Sequence, residues 1–226
     1  MEKQTVSKQR VADHGEVFTN QREVNAMLDL VKQENERIDA RFLEPACGIG
    51  NFLTVILERK LRVVEAKYRK SPLEFERNLV LAVSSIYGID ILEDNVIECR
   101  RRLFEIADGK YSAIFKKKAK DGVRKVLRFI LDRNVVWGDA LNLKTVGGDQ
   151  QPILFSEWSF PFNNSLLKRR DFVFEELMPD DAKKRGRADL FSKTKEVSDL
   201  GEDVFIPAEK QSYVPIHFLR VGEEYD

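Results

Sequence analysis

The stretch from Phe42 to Leu53 constrains this chain more than any other: Phe-Leu-Glu-Pro-Ala-Cys-Gly-Ile-Gly-Asn-Phe-Leu. An apolar pair runs into an acid and a proline. A Gly-x-Gly turn follows, and then a new apolar run begins. That order predicts a strand over 41–45, a tight loop and a helix opening behind it. Two glycines let the backbone approach a ligand where a side chain would block it. The helix start behind them offers unpaired N–H groups and a positive dipole end. Glu44 does not suit a phosphate at this position, but it does suit a cationic or amine-bearing group.

The rest of the chain repeats the alternation. Asn20 with Glu23 predicts a capped helix start, with Val24, Met27, Leu28 and Val31 as its apolar face. Ser71-Pro72-Leu73-Glu74 predicts a second helix start, and Ile86 to Asp90 a strand that ends on a carboxylate. A helix follows through Val96, Cys99 and Leu103, and another over 121–132. Asn134 to Trp137 predicts a third strand, ending at Gly138-Asp139-Ala140-Leu141, and Ile153 to Phe162 a fourth. Strands alternating with helices imply an α/β fold: a Rossmann-like, doubly wound, mainly parallel sheet with helices on both faces. In such sheets ligands sit at the carboxyl ends of the strands, where Glu44 to Asn51, Asp90 and Asp139 all fall.

Lysine plus arginine equals aspartate plus glutamate at 38 each, so no global basic field draws in nucleic acid and polyanion contact needs local patches. Cys47 and Cys99 are too few for a disulfide framework, and with only His14 and His217 no metal site is expected. No apolar run is long enough to span a membrane, so a cytoplasmic location is expected. Three strand ends in order describe a ligand. Asp90 suits ribose hydroxyls, Asp139 with the small Ala140 suits an adenine amine, and Glu44 with Gly48 and Gly50 suits an amino-acid ammonium. Together these are the parts of S-adenosyl-L-methionine. Each alone has a plainer reading: Asp90 as a helix cap, Asp139 as a turn residue, Cys47 as a small packed side chain.

These residues resemble the bacterial adenine-N6 (amino-methylating) DNA methyltransferases over roughly residues 10–142. Glu44-Pro45-Ala46-Cys47-Gly48-Ile49-Gly50-Asn51-Phe52-Leu53 is similar to that family's first motif, with Glu44 in place of the usual aspartate. Gly15-Glu16-Val17-Phe18-Thr19 resembles the segment that opens the cofactor site, Tyr87-Gly88-Ile89-Asp90-Ile91 the ribose motif and Gly138-Asp139-Ala140-Leu141 the adenine motif. The resemblance implies a class I methyltransferase-like fold. It also implies cofactor contacts at Thr19, Glu44, Pro45, Ala46, Gly48, Gly50, Asn51, Phe52, Asp90, Ile91, Asp139 and Ala140.

The family's catalytic tetrad, [D/N/S]-P-P-[Y/F], holds the target amine and stacks on the flipped base. It does not occur in these 226 residues. Ser159-Phe160-Pro161-Phe162 comes nearest, with Ser159, Pro161 and Phe162 as the weak candidates; an ordinary turn is the alternative. Beyond it lie Lys168-Arg169-Arg170 and Lys183-Lys184-Arg185-Gly186-Arg187, which suit phosphate but carry no base-reading code. The expected organisation is a polar segment over 1–19, a cofactor-binding domain over 20–163 and a charged extension over 164–226. The leading expectation is the cofactor-binding subunit of a split adenine-N6 enzyme, acting on DNA with a second subunit that carries the catalytic motif. The alternatives are a self-sufficient enzyme using the 159–162 loop and a non-catalytic DNA- or partner-binding module.

Overall fold

A computed structural model describes residues 19–162, 164–177, 195–197, 203–205 and 209–225. The expectations placed on 15–18 and on the basic cluster at 183–187 lie outside these residues. Strands β1 (Phe42–Glu44), β2 (Ile86–Asp90) and β3 (Val135–Asp139) pair in parallel in that order, and β4 (Lys144–Thr145) returns antiparallel on β3. The register sets Glu44 beside Gly88 and Asp90 beside Trp137, so the marked strand ends share one edge. Every residue of β2 is buried, as a central parallel strand requires. Its side chains alternate between two cores, Ile86 in one and Tyr87 with Ile89 in the other.

The first core lies under the helices: α1 (Gln21–Asp29), α2 (Lys32–Asn35), α3 (Asn51–Tyr68), α4 (Pro72–Ser84), α5 (Glu93–Phe115) and α6 (Asp121–Asn134). Asn20 caps α1 as expected, its Oδ1 accepting from the Glu23 N–H at 2.9 Å. Only Val24 and Leu28 of the anticipated apolar face are buried, while Met27 and Val31 are exposed. Ser71 makes no side-chain cap, and Glu74 turns to Arg77 instead. Pro72 alone marks that start, its φ already helical and its missing N–H one that would have no partner there.

The second face differs from expectation. Its core consists of Tyr87, Ile89, Ile153, Phe155 and Phe174, with Val136, Ala140 and Leu143 against it; among the described residues no α-helix contributes. A hairpin covers it instead, β5 (Leu154–Ser159) pairing antiparallel with β6 (Leu166–Val173) over six residues. The short pairs β7 (Lys195–Val197) with β8 (Asp203–Phe205), and β9 (Gln211–Ser212) and β10 (Ile216–His217) on β6, complete the strands. Helices on both faces are therefore corrected to helices on one face and a β layer on the other. The cause is the connection after β3. A parallel return needs a crossover, usually a helix. Here residues 140–153 spend themselves on a hairpin around Gly147 and Gly148, at φ +79° and +52°.

The chain therefore re-enters antiparallel. Ile153 packs at Gly138 near the carboxyl end of β3, whereas Trp158 donates to Asn134 Oδ1, just before β3 begins, at 3.1 Å. The expected boundary at 163 also falls inside this hairpin. Phe218, Val221 in α7 (Val221–Glu224) and Tyr225 just after it join the helix-side core.

Lys60 anchors the amino end of β1. The side chain is fully buried, and its ammonium donates to Ile38 O at 3.1 Å, to Ala40 O and to Ser85 Oγ at 2.5 Å. Three donors meet three acceptors. Lys60→Met keeps the stem but removes the three donors, and should lower stability by about 2–4 kcal/mol in urea unfolding.

Candidate functional site

The loop between β1 and α3 is stitched down from three sides. The Cys47 N–H donates to Ile89 O at 2.9 Å, and the Gly48 N–H to Asp90 Oδ2 at 2.7 Å. The Gly50 N–H closes the turn on Cys47 O at 2.8 Å. Gly48 and Gly50 hold φ of +51° and +81°, a region that suits glycine. Gly50 also has no room, since a Cβ there would lie 2.6 Å from Cys99 Sγ on α5. A Cβ on Gly88 would lie 2.9 Å from Cys47 Sγ. Cys47 and Cys99 are thus the packing surface on which the loop rests, and the hydrogen bond with Cys99, with burial second, pushes the Cys47 thiol up, away from thiolate. A nucleophile would need the opposite shift.

Asp90 is almost fully buried. Besides Gly48, it accepts from the Leu92 N–H at 2.9 Å and from Asn95 Nδ2 at 3.2 Å. It serves the turn before α5 rather than capping the helix, whose N-cap Leu92 has no side-chain cap bond, and it also holds the glycine loop.

Glu44 is the anomaly. Among the described residues its buried Oε2 has no hydrogen-bond partner. Desolvation, with the negative charge of Asp90 second, raises its carboxyl from 4.5 to about 8. Two acids converge at the mouth of the loop, and the one without a partner lacks a counter-charge. Asp139 stands at the next strand end, but it accepts from the Leu141 and Asn142 N–H groups at 2.8 and 3.3 Å and from the Asn142 side chain at 2.5 Å, stabilising its own turn. Ala140 is half-buried; Pro45, Ala46 and Ile91 are exposed; Phe52 packs against the helix-side core. Asn51 Nδ2 reaches Thr19 O at 3.3 Å, which brings the segment before α1 to the loop. Thr19, Glu44, Gly48, Gly50, Asn51 and Asp90 are therefore gathered by direct contacts, with Asp139 on the same edge of the sheet.

Ser159, Pro161 and Phe162 are not brought there. Because β5 runs against β1–β3, it carries them to the amino ends of the parallel strands. There Phe160 lies edge-on to Phe218 and under Arg77, while Pro161 and Phe162 face solvent. The spacing from Asp139 matched the expected loop, but the strand direction does not. Nor are the arginines of 168–170 free for phosphate: Arg169 is buried on Asp171 and Ser156, and Arg170 is held between Glu157 and Glu209. Among the described residues no group of three metal-ligating side chains exists, and no helix is long and apolar enough to cross a membrane.

Sequence reasoning missed Arg102, whose Nη1 donates to Ile49 O at 2.7 Å and to Asn51 Oδ1 at 2.8 Å. Nothing in the sequence marks it among three consecutive arginines.

A glycine loop behind the first of three parallel strands, with acids gathered at their carboxyl ends, is consistent with a methyltransferase-like fold. A family model described as MmeI, DNA-methyltransferase domain, matches residues 15–146, more than half of the chain, and the chain belongs to that family. No curated protein and no solved structure matches it.

The charge on Glu44 has a direct consequence for stability. Its folded carboxyl lies above its unfolded value, so its contribution is complete below about 4.5 and is lost as pH rises to about 8. Glu44→Gln escapes that loss. In thermal unfolding without ligand, the variant should match wild type near pH 4.5 and exceed it by a few degrees at pH 8.5.

Proposed function

We propose that this chain holds S-adenosyl-L-methionine for an adenine-N6 DNA methyltransferase, and that a partner chain supplies the catalytic tetrad and reads the DNA sequence. The observation that carries the reading is the buried, unpartnered Oε2 of Glu44 beside Asp90. An ammonium group seated there would give Glu44 the counter-charge it lacks and lower its proton affinity. That fits the amino-acid end of the cofactor against Glu44 and the glycine loop, its ribose at Asp90 and its adenine at Asp139. The bound cofactor would supply an electrophilic methyl group on a sulfonium. This chain's own residues bind and orient: Glu44 takes the positive charge, Gly48 and Gly50 let the backbone come close, and Asp90 offers acceptors to paired hydroxyls.

A catalytic tetrad supplied from outside these 226 residues is supported by two observations. The tetrad is missing from the sequence, and its nearest substitute, Ser159 to Phe162, stands at the far end of the sheet. The second of these also weakens the self-sufficient reading.

Calorimetry tests the cofactor. Near pH 7 a carboxyl of about 8 is mostly protonated, so a cationic ligand should expel close to one proton. Titration of S-adenosyl-L-methionine in buffers of different ionisation enthalpy should show that release. Glu44→Gln should abolish the release and weaken binding at least tenfold, and Asp90→Ala should weaken it further still. Absence of heat and of competition by S-adenosyl-L-homocysteine with the wild-type chain would exclude the reading.

A further inference from the structure

Three consecutive arginines on α5 point to three different places, as a helix that turns about 100° per residue dictates. Arg100 reaches Val135 O at the start of β3, with Nε at 2.9 Å and Nη2 at 2.7 Å, and pairs with Asp132. Arg101 stays on its own helix surface between Glu98 and Glu105. Arg102 turns inward to the glycine loop. Its Nη1 alone holds two acceptors, the carbonyl of Ile49 between the two glycines and the side-chain oxygen of Asn51 just after them. That second contact orients the amide, so that Nδ2 of Asn51 donates to Thr19 O. One guanidinium thus links α5, the loop and the segment before α1.

We propose that Arg102 is a positioning residue for cofactor binding, acting through Ile49 and Asn51 rather than by touching the ligand. The inference rests on the reading of the loop as a cofactor cradle. Each glycine of the loop has more conformational freedom to lose on ordering than any other residue would. If the ligand had to order it, the ordering would be subtracted from affinity. The loop's N–H groups at Cys47, Gly48 and Gly50 are each held by backbone or by Asp90, but its central carbonyl, at Ile49, is held by Arg102. Cys99, one turn earlier on the same helix face, meets Gly50 and fills the space under it. Helix α5 thereby presents a packing contact and a hydrogen-bonding contact to the loop, three residues apart. The clamp grips residues 49–51, next to the part of the site that faces the amino-acid end of the ligand. Its removal should therefore affect that end most.

The test is calorimetric titration of the full chain with S-adenosyl-L-homocysteine and with methylthioadenosine, which lacks the amino-acid end. Arg102→Met keeps the aliphatic stem and removes the donors. It should weaken S-adenosyl-L-homocysteine at least tenfold and methylthioadenosine less than threefold. Arg102→Lys restores a donor to the same pair of acceptors and should recover part of the loss. Equal losses for both ligands, or no recovery with lysine, would reduce Arg102 to a residue of general stability and overturn the proposal. So would wild-type affinity in Arg102→Met. Absence of binding by the wild-type chain overturns the cofactor reading itself, and this proposal with it, an outcome distinct from the others. Should Arg102→Met not fold, Asn51→Ala removes the relay to Thr19 while leaving the Ile49 contact. It must show the same ligand-selective loss, and unchanged affinity there overturns the proposal equally.

Discussion

The hydrogen bond from the Gly48 N–H to the Asp90 carboxylate, at 2.7 Å, is the contact on which the rest of the site depends. It joins the end of β2 to the loop after β1, and it is possible only because Gly88 has no side chain. With a Cβ 2.9 Å from Cys47 Sγ, the loop could not lie across the strand. Gly88, Cys47, Gly50 and Cys99 form a stack of small residues that sets the height of the loop above the sheet. Asp90 and Arg102 then fix it laterally. The proximity of Glu44 to Asp90 follows from this compact seating, and so does the raised carboxyl of Glu44. In the unliganded molecule the fold therefore bears an electrostatic cost at its own binding edge, the kind of local conflict that proteins keep where a ligand resolves it.

Much of this was legible in the sequence, for physical reasons. Helix α1, strands β2 and β3 and the loop at 44–51 each carry local signals: a capping asparagine, an apolar run closed by an acid, a pair of glycines. Such signals act over a few residues and need no knowledge of distant neighbours. The same holds for Asp90, whose position at a strand end was readable. That it would bind Gly48, 42 positions away, was not. Arg102 was invisible for the same reason, because its value lies in which way one turn of a helix faces and not in any pattern of its own.

The error about the second face has a different cause. Ile153 to Phe162 reads as a strand and is one, from Leu154 to Ser159. Periodicity gives the existence of a strand but carries no sign of its direction. Direction was decided by the connection, where a hairpin around Gly147 and Gly148 took the place of a crossover helix. Everything downstream of that turn is inverted relative to the family's expected layout. The basic run at 168–170 is absorbed by Glu157, Asp171 and Glu209, and the aromatic residues of the 159–162 segment pack or project at the amino edge.

That inversion also explains the unequal finish of the two faces. On the helix side, the core is continuous from Val24 to Tyr225. On the other, the hairpin leaves a cavity of about 470 Å³ between the sheet and β5–β6, floored by Leu43, Tyr87, Phe155 and Phe172 and edged by the paired charges of Arg41, Glu157, Arg170 and Glu209. Its charges already neutralise one another in a chain of ion pairs. A ligand there would meet no unsatisfied group. At the loop the reverse holds: among the described residues, the buried Oε2 of Glu44 has no partner. Chemistry therefore chooses the loop as the site, because a buried carboxyl oxygen without a partner is the rarer and more costly feature.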